Sequence, residues 1–160
     1  MNLYITMRCR FSRYAVAGGR IDGVAGQRIL ADLHVAVDRA GRQPLVERPH
    51  EGRRTLQRQR PPRLECNPDT PYQVRVDGGQ HGGVGELRYL ASDDRQARPI
   101  PYRLYRDAAW REPLAVGVAQ SARVPGSGSV ELPLYARIDK LAWVPDAGVY
   151  ADLLKVTVTW

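Results

Sequence analysis

Two stretches decide the fold: Val130-Glu131-Leu132-Pro133-Leu134-Tyr135-Ala136-Arg137-Ile138, and Tyr150-Ala151-Asp152-Leu153-Leu154-Lys155-Val156-Thr157-Val158-Thr159-Trp160 at the C-terminus. In the first, Val130, Leu132, Leu134, Ala136 and Ile138 fall on one side of a period-two alternation. Glu131, Pro133, Tyr135 and Arg137 fall on the other. In the second, Tyr150, Leu154, Val156, Val158 and Trp160 share a face. Asp152 is the one polar residue in that row, and Lys155, Thr157 and Thr159 face the opposite way. Alternation of this kind marks strands with one face buried.

Working outward, the same pattern recurs at short intervals. Tyr72, Val74 and Val76 alternate with Gln73, Arg75 and Asp77. Leu87 and Tyr89 alternate with Glu86 and Arg88. Ile100, Tyr102 and Leu104 alternate with Pro101, Arg103 and Tyr105. Shorter strands are expected around Leu114–Val118 and Ser121–Val124. Between these lie turn sequences: the glycine-rich Asp77–Gly83, Asp93-Asp94, Pro125–Gly128 and Pro145–Gly148. Short alternating strands separated by turns predict an all-β antiparallel sandwich over residues 65–160, with no βαβ unit.

Residues 1–64 read differently. They hold 13 arginines, no lysine and five acidic residues, a formal +8, whereas residues 65–160 sum to −1. The whole-chain net charge of +7 therefore sits in an atypical basic segment. Ile29, Leu30, Leu33 and Val37 have helical spacing, which leaves a helix over 25–37 and a coincidence as alternatives. Residues 41–64, with four prolines and few apolar side chains, read as disordered or extended. Arg-rich, Lys-free sequence is also what a GC-rich gene yields in the wrong frame, so a frameshift is a second reading of 1–64.

Composition excludes some classes. Mean hydropathy is −0.42, and no apolar run approaches the roughly 20 residues of a spanning helix, so membrane insertion is not expected. The N-terminus shows no secretory signal, because Arg8, Arg10 and Arg13 interrupt its apolar start. Cys9 and Cys66 form no CxxC and have no histidine at ligand spacing, so no metal or other cofactor is expected. The two are either free thiols or one disulfide closing a long loop. The Gly78–Gly83 loop leads into a strand rather than a helix, so it reads as a hairpin turn and not a phosphate cradle. Scattered His34, His50 and His81, and serines without a nucleophile elbow, give no catalytic constellation, and no enzyme is expected.

Several of these segments together resemble one family. Cys66 with Tyr72–Gly79, then Tyr102-Arg103-Leu104-Tyr105-Arg106-Asp107-Ala108-Ala109-Trp110, Leu132–Ile138 and Ala147–Trp160 are similar in order and spacing to the spore coat protein U domain. That family includes the major subunits of archaic chaperone–usher pili. The resemblance implies an incomplete immunoglobulin-like sandwich lacking its last strand. It implies a periplasmic chaperone, an usher and neighbouring pilus subunits as partners, and assembly by donor-strand exchange. The product is a secreted surface fibre or spore coat with a role in adhesion or biofilm formation, and the route runs from periplasm to cell surface.

On that reading Cys66 matches the family's second cysteine and Cys9 stands for the first. The family's strand before Cys66 is replaced here by Arg60-Pro61-Pro62-Arg63-Leu64-Glu65. The assembly groove and chaperone contact fall on Val130, Leu132, Leu134, Ile138, Tyr150, Leu154, Val156, Val158 and Trp160. Trp110 and Trp143 are weighed as sugar platforms against ordinary core or corner packing. The alternative from another class is a basic-arm nucleic-acid-binding protein, with residues 1–64 neutralising phosphates. No nucleic-acid contact is expected from residues 65–160.

Overall fold

Why the chain folds as it does follows from where its alternation is broken. The computed structural model describes residues 63–160 in full and the backbone of 10–12, 19–21 and 24–37. These form eleven strands: β1 (Arg10–Ser12), β2 (Gly19–Ile21), β3 (Val24–Val37), β4 (Arg63–Glu65), β5 (Pro71–Val76), β6 (Arg88–Ser92), β7 (Ile100–Tyr105), β8 (Gln120–Arg123), β9 (Ser129–Glu131), β10 (Tyr135–Arg137) and β11 (Gly148–Thr159). Every pairing is antiparallel, and the described residues contain no helix. The all-β class is therefore that expected from the alternation.

Two sheets result. The smaller is β1-β4-β9. The larger runs β10-β7-β6-β11-β3-β2, with β5 also paired to β11 and β8 to β5. Between them lies one core, built chiefly from alternate residues of three strands, Tyr72, Val74 and Val76 from β5, Ile100, Tyr102 and Leu104 from β7, and Tyr150, Leu154, Val156 and Val158 from β11, with Leu64 of β4 from the smaller sheet. Burying each such side chain contributes about 1.5–3 kcal/mol.

Four local readings change. Val130–Ile138 is not one strand. It divides into β9, which pairs with β4, and β10, which pairs with β7 in the other sheet. Pro133 lies between them and has no N–H to offer a ladder, so the chain changes sheet there. In β6 the buried row is Arg88 and Leu90 rather than Leu87 and Tyr89. The arginine goes inside because carbonyl oxygens receive it, as described below. Only Ser121–Val124 of the two short predicted strands forms, as β8, while 114–118 is a loop bonded through Leu114 N to Leu104 O at 2.8 Å. Arg63–Glu65, read as a replacement for a strand, is itself the strand β4, with Leu64 fully buried.

The segment 24–37 is a strand and not a helix. Ile29, Leu33 and Val37 are four apart, a spacing common to both periods. Ala31 and Val35 complete a period-two row, and that decides the matter. Residues 38–62, which hold all but the last two residues of the stretch 41–64 read as disordered or extended, lie outside the described residues.

Candidate assembly edge

β11 is the hub of the larger sheet. On its outer edge it pairs with β3 through twelve consecutive residues, from Gly148↔Val37 to Thr159↔Gly26, with no bulge. On its inner edge it has two partners: β6 opposite Tyr150–Ala151 and β5 opposite Val156–Thr159. The sandwich formed by residues 63–160 thus ends on a strand whose outer neighbour comes from the N-terminal part of the chain.

Between the two inner partners, the ladder breaks at residues 152–155. Two carboxylates fill that break. Asp77 continues β5, its N–H bonding Lys155 O at 3.0 Å, while its Oδ1 accepts Lys155 N at 2.9 Å and Gly79 N at 3.1 Å. Asp152, only 3% exposed, accepts the Tyr102 hydroxyl on Oδ2 at 2.6 Å and Gln80 N on Oδ1 at 2.8 Å. The glycine-rich loop must come this close for the second bond. A Cβ on Gly79, whose φ is +75°, would sit 2.0 Å from Asp152 Oδ2. The loop is a turn leading into β6, as its sequence predicts, and it binds a carboxylate of its own chain.

Arg88 completes the cluster. Wholly buried, it donates through Nε to Asp77 O at 2.8 Å, through Nη1 to Leu114 O at 2.8 Å and through Nη2 to Val76 O at 3.4 Å. Burial lowers the pKa of its guanidinium from the ordinary value. Burial first, and the Asp152 hydrogen bond second, raise the Tyr102 phenol well above its usual range. No buried side-chain polar atom among the described residues lacks a partner. This cluster is missed by alternation alone. Its trace in the sequence is Asp152, the single acid in the apolar row of the last strand.

The residues predicted to line the groove are distributed as follows. Tyr150, Leu154, Val156 and Val158 are core residues of β11, and Leu132 is buried between β9 and β10. Val130, Leu134, Ile138 and Trp160 are half-buried and pack against that core. All nine therefore contribute to one apolar interior. Cys66 is buried and disulfide-bonded, whereas Cys9 lies outside the described residues.

Trp110 and Trp143, weighed as sugar platforms against core or corner packing, both pack against other side chains, and Trp110 stays 36% exposed. Trp110 has a left-handed φ of 59° and stands edge-on to Tyr105 and Tyr135, with ring centroids 5.3 and 6.4 Å away. Asp107 holds that turn, accepting the backbone N–H groups of Ala109, Arg111 and Glu112 at 3.1, 2.9 and 2.8 Å. Trp143 packs against the core with the Arg98 guanidinium 4.8 Å over its ring.

Five arginines of the sandwich are matched by acids. Arg63 pairs with Glu131, Arg106 with Glu112, Arg123 with Asp69, Arg103 with both Asp139 and Glu86, and Arg137 with Asp139. They are neutralised within the chain, unlike the open cationic groove that a nucleic acid tracks. No helix among the described residues is long and apolar enough to cross a membrane.

No curated protein matches the chain. A family model does: the spore coat protein U domain matches residues 48–157, more than two thirds of the sequence. That domain family is a structural one, of spore-coat and pilus-type surface proteins. An all-β sandwich whose last strand is the hub of its sheet and a family match over that span lead to one conclusion: the chain belongs to the spore coat protein U domain family.

Proposed function

We propose that the chain is a structural subunit of a secreted surface fibre of the archaic chaperone–usher type, built by donor-strand exchange, with a role in adhesion or biofilm formation. Its partners on this reading are a periplasmic chaperone, an usher and neighbouring subunits, and its route is from the periplasm to the cell surface. The observation that carries the reading is the outer edge of β11. It accepts a complete antiparallel strand over twelve residues from a segment outside the sandwich 63–160. Main-chain pairing of that length supplies affinity, and the buried row Tyr150, Leu154, Val156 and Val158 sets which side of an incoming strand faces the core. An unfilled edge of this kind would template aggregation, so it needs an occupant at every stage of assembly.

The test is mass spectrometry of surface material sheared from source cells and fractionated by size. Peptides from residues 66–160 are expected in the high-mass fraction. Finding them only in the cytoplasm would sink the proposal.

A further inference from the structure

We propose that Val24–Val37 is a built-in stopper, which closes the outer edge of β11 within the same chain and must leave before that edge can take a strand from a second copy. The inference rests on reading that edge as the assembly edge.

Three observations carry it. The first is register: β3 covers β11 from Gly148 to Thr159 without interruption, so no part of the edge is left for another strand to start pairing. The second is matching. Opposite the row Tyr150, Asp152, Leu154, Val156 and Val158 the register sets Val35, Leu33, Ala31, Ile29 and Gln27, of which the first four are apolar. Directly opposed residues of an antiparallel pair share a face, so four of the five register positions opposite the core row are apolar. A slip of one residue would put Leu30, Asp32, His34 and Ala36 there instead.

The third is support from β2, which pairs with β3 from Gly19↔Gly26 to Ile21↔Val24. The two intervening residues in the sequence are Asp22-Gly23, a pair suited to a two-residue hairpin loop. β3 is therefore one arm of a hairpin.

Being on the same chain gives the stopper a kinetic and thermodynamic advantage. A tethered strand acts at an effective concentration on the order of millimolar, so an identical free strand at micromolar concentration is outcompeted about 1,000-fold. The isolated chain is then a capped monomer. Strand uptake is limited by release of β3.

The test uses the full chain carrying Ala36→Cys and Val149→Cys. These positions are opposed in the β3–β11 register, within the Cα spacing that a disulfide spans. Val149 is exposed, so the substitution spares the core. The readouts are peptide mapping of the oxidised monomer fraction and uptake of a fluorescent peptide of residues 24–37. A companion variant, Leu33→Pro, interrupts β3 at its middle.

Expected are a 36–149 bond within one chain, no uptake while it is oxidised, and uptake about 100-fold above wild type in Leu33→Pro. The oxidised and reduced forms of the cysteine pair compare one folded chain with itself, should the proline variant fail to fold. A 36–149 bond found only between chains overturns the stopper and leaves strand exchange standing. A bond within the chain, with uptake by neither the reduced pair nor Leu33→Pro, overturns both.

Discussion

The Tyr102 hydroxyl, on β7, donates to Asp152 Oδ2, on β11, at 2.6 Å, and both residues are buried. This bond ties two strands of the larger sheet through its interior, where the β11 ladder has no inner partner. Its length is that of a charge-assisted O–H···O⁻ bond, roughly twice as strong as a neutral one. Removing the hydroxyl with Tyr102→Phe leaves a buried carboxylate oxygen without its donor. The expected cost is about 1–3 kcal/mol, read from the urea midpoint at neutral pH. An unchanged midpoint would mean that water replaces the phenol without loss.

The same bond predicts how stability falls in alkali. The folded-state pKa of Tyr102 is raised, chiefly by burial and then by the Asp152 bond. A raised pKa contributes stability that is fully present below the unfolded value of about 10 and is lost as pH rises toward the folded value. Wild-type stability should hold to about pH 9 and decline above 10. Tyr150 is also raised, by burial first, and shares the sign. The difference between wild type and Tyr102→Phe, followed from pH 8 to 11.5, isolates Tyr102. Parallel profiles for the two proteins would refute the assignment.

Arg88 makes a sharper case, because its three acceptors are main-chain carbonyls on two separate segments, Val76–Asp77 and Leu114. Arg88→Met keeps most of the apolar stem and takes the guanidinium donor from Asp77 O and Leu114 O, while Val76 O keeps the Gly117 N–H at 2.8 Å. The expected loss is about 2–4 kcal/mol. Arg88→Lys should restore little of it, since a single ammonium cannot reproduce the planar fork. A lysine variant as stable as wild type would show that charge, not geometry, is what the site requires.

Much of this fold is legible from alternation alone. The buried faces of β5 and β11 are those that period two assigns, and so is that of β7 apart from Tyr105, which the alternation places on the other face and which is buried as well. Three features escape for identifiable reasons. The division of Val130–Ile138 turns on the missing N–H of Pro133, which hydrophobic pattern does not register. The strand nature of 24–37 was obscured because residues spaced by four satisfy both the helical and the extended period. The inward arginine of β6 is invisible to any rule that places charges outside. Its reason is three carbonyls supplied by other parts of the chain.

The turn at Asp107 predicts a response to acid. Its carboxyl pKa is lowered, first by the backbone N–H of Glu112 and further by those of Arg111 and Ala109. A lowered pKa gives a contribution present above the ordinary value of about 4 and lost as pH falls through the folded one. The site is exposed, so the readout is local. The left-handed backbone at Trp110 should relax once the acceptor is protonated, changing the indole's contacts with Tyr105 and Tyr135. Fluorescence of a Trp143→Phe chain should shift between about pH 4 and 2. Asp107→Ala should show the shifted spectrum already at pH 7. A spectrum indifferent to Asp107→Ala would refute the link.

The final prediction concerns the cysteines. Cys66 is disulfide-bonded, and Cys9 is the other cysteine of the sequence. β1 pairs with β4 so that Arg10 stands opposite Glu65. In the sequence Cys9 directly precedes Arg10 and Cys66 directly follows Glu65, the residues of that pair. A non-reduced tryptic digest of the protein should contain a peptide joining Cys9 to Cys66. Loop-entropy arithmetic for a loop of this size gives about 4 kcal/mol, so Cys66→Ser should cost about 2–5 kcal/mol. The measurement also bears on the basic segment. A joined peptide requires that residues around Cys9 are translated in this frame and cross-linked to the sandwich. A free thiol at Cys66 in mature material, with no Cys9 peptide beside it, would favour the frameshift reading of residues 1–64.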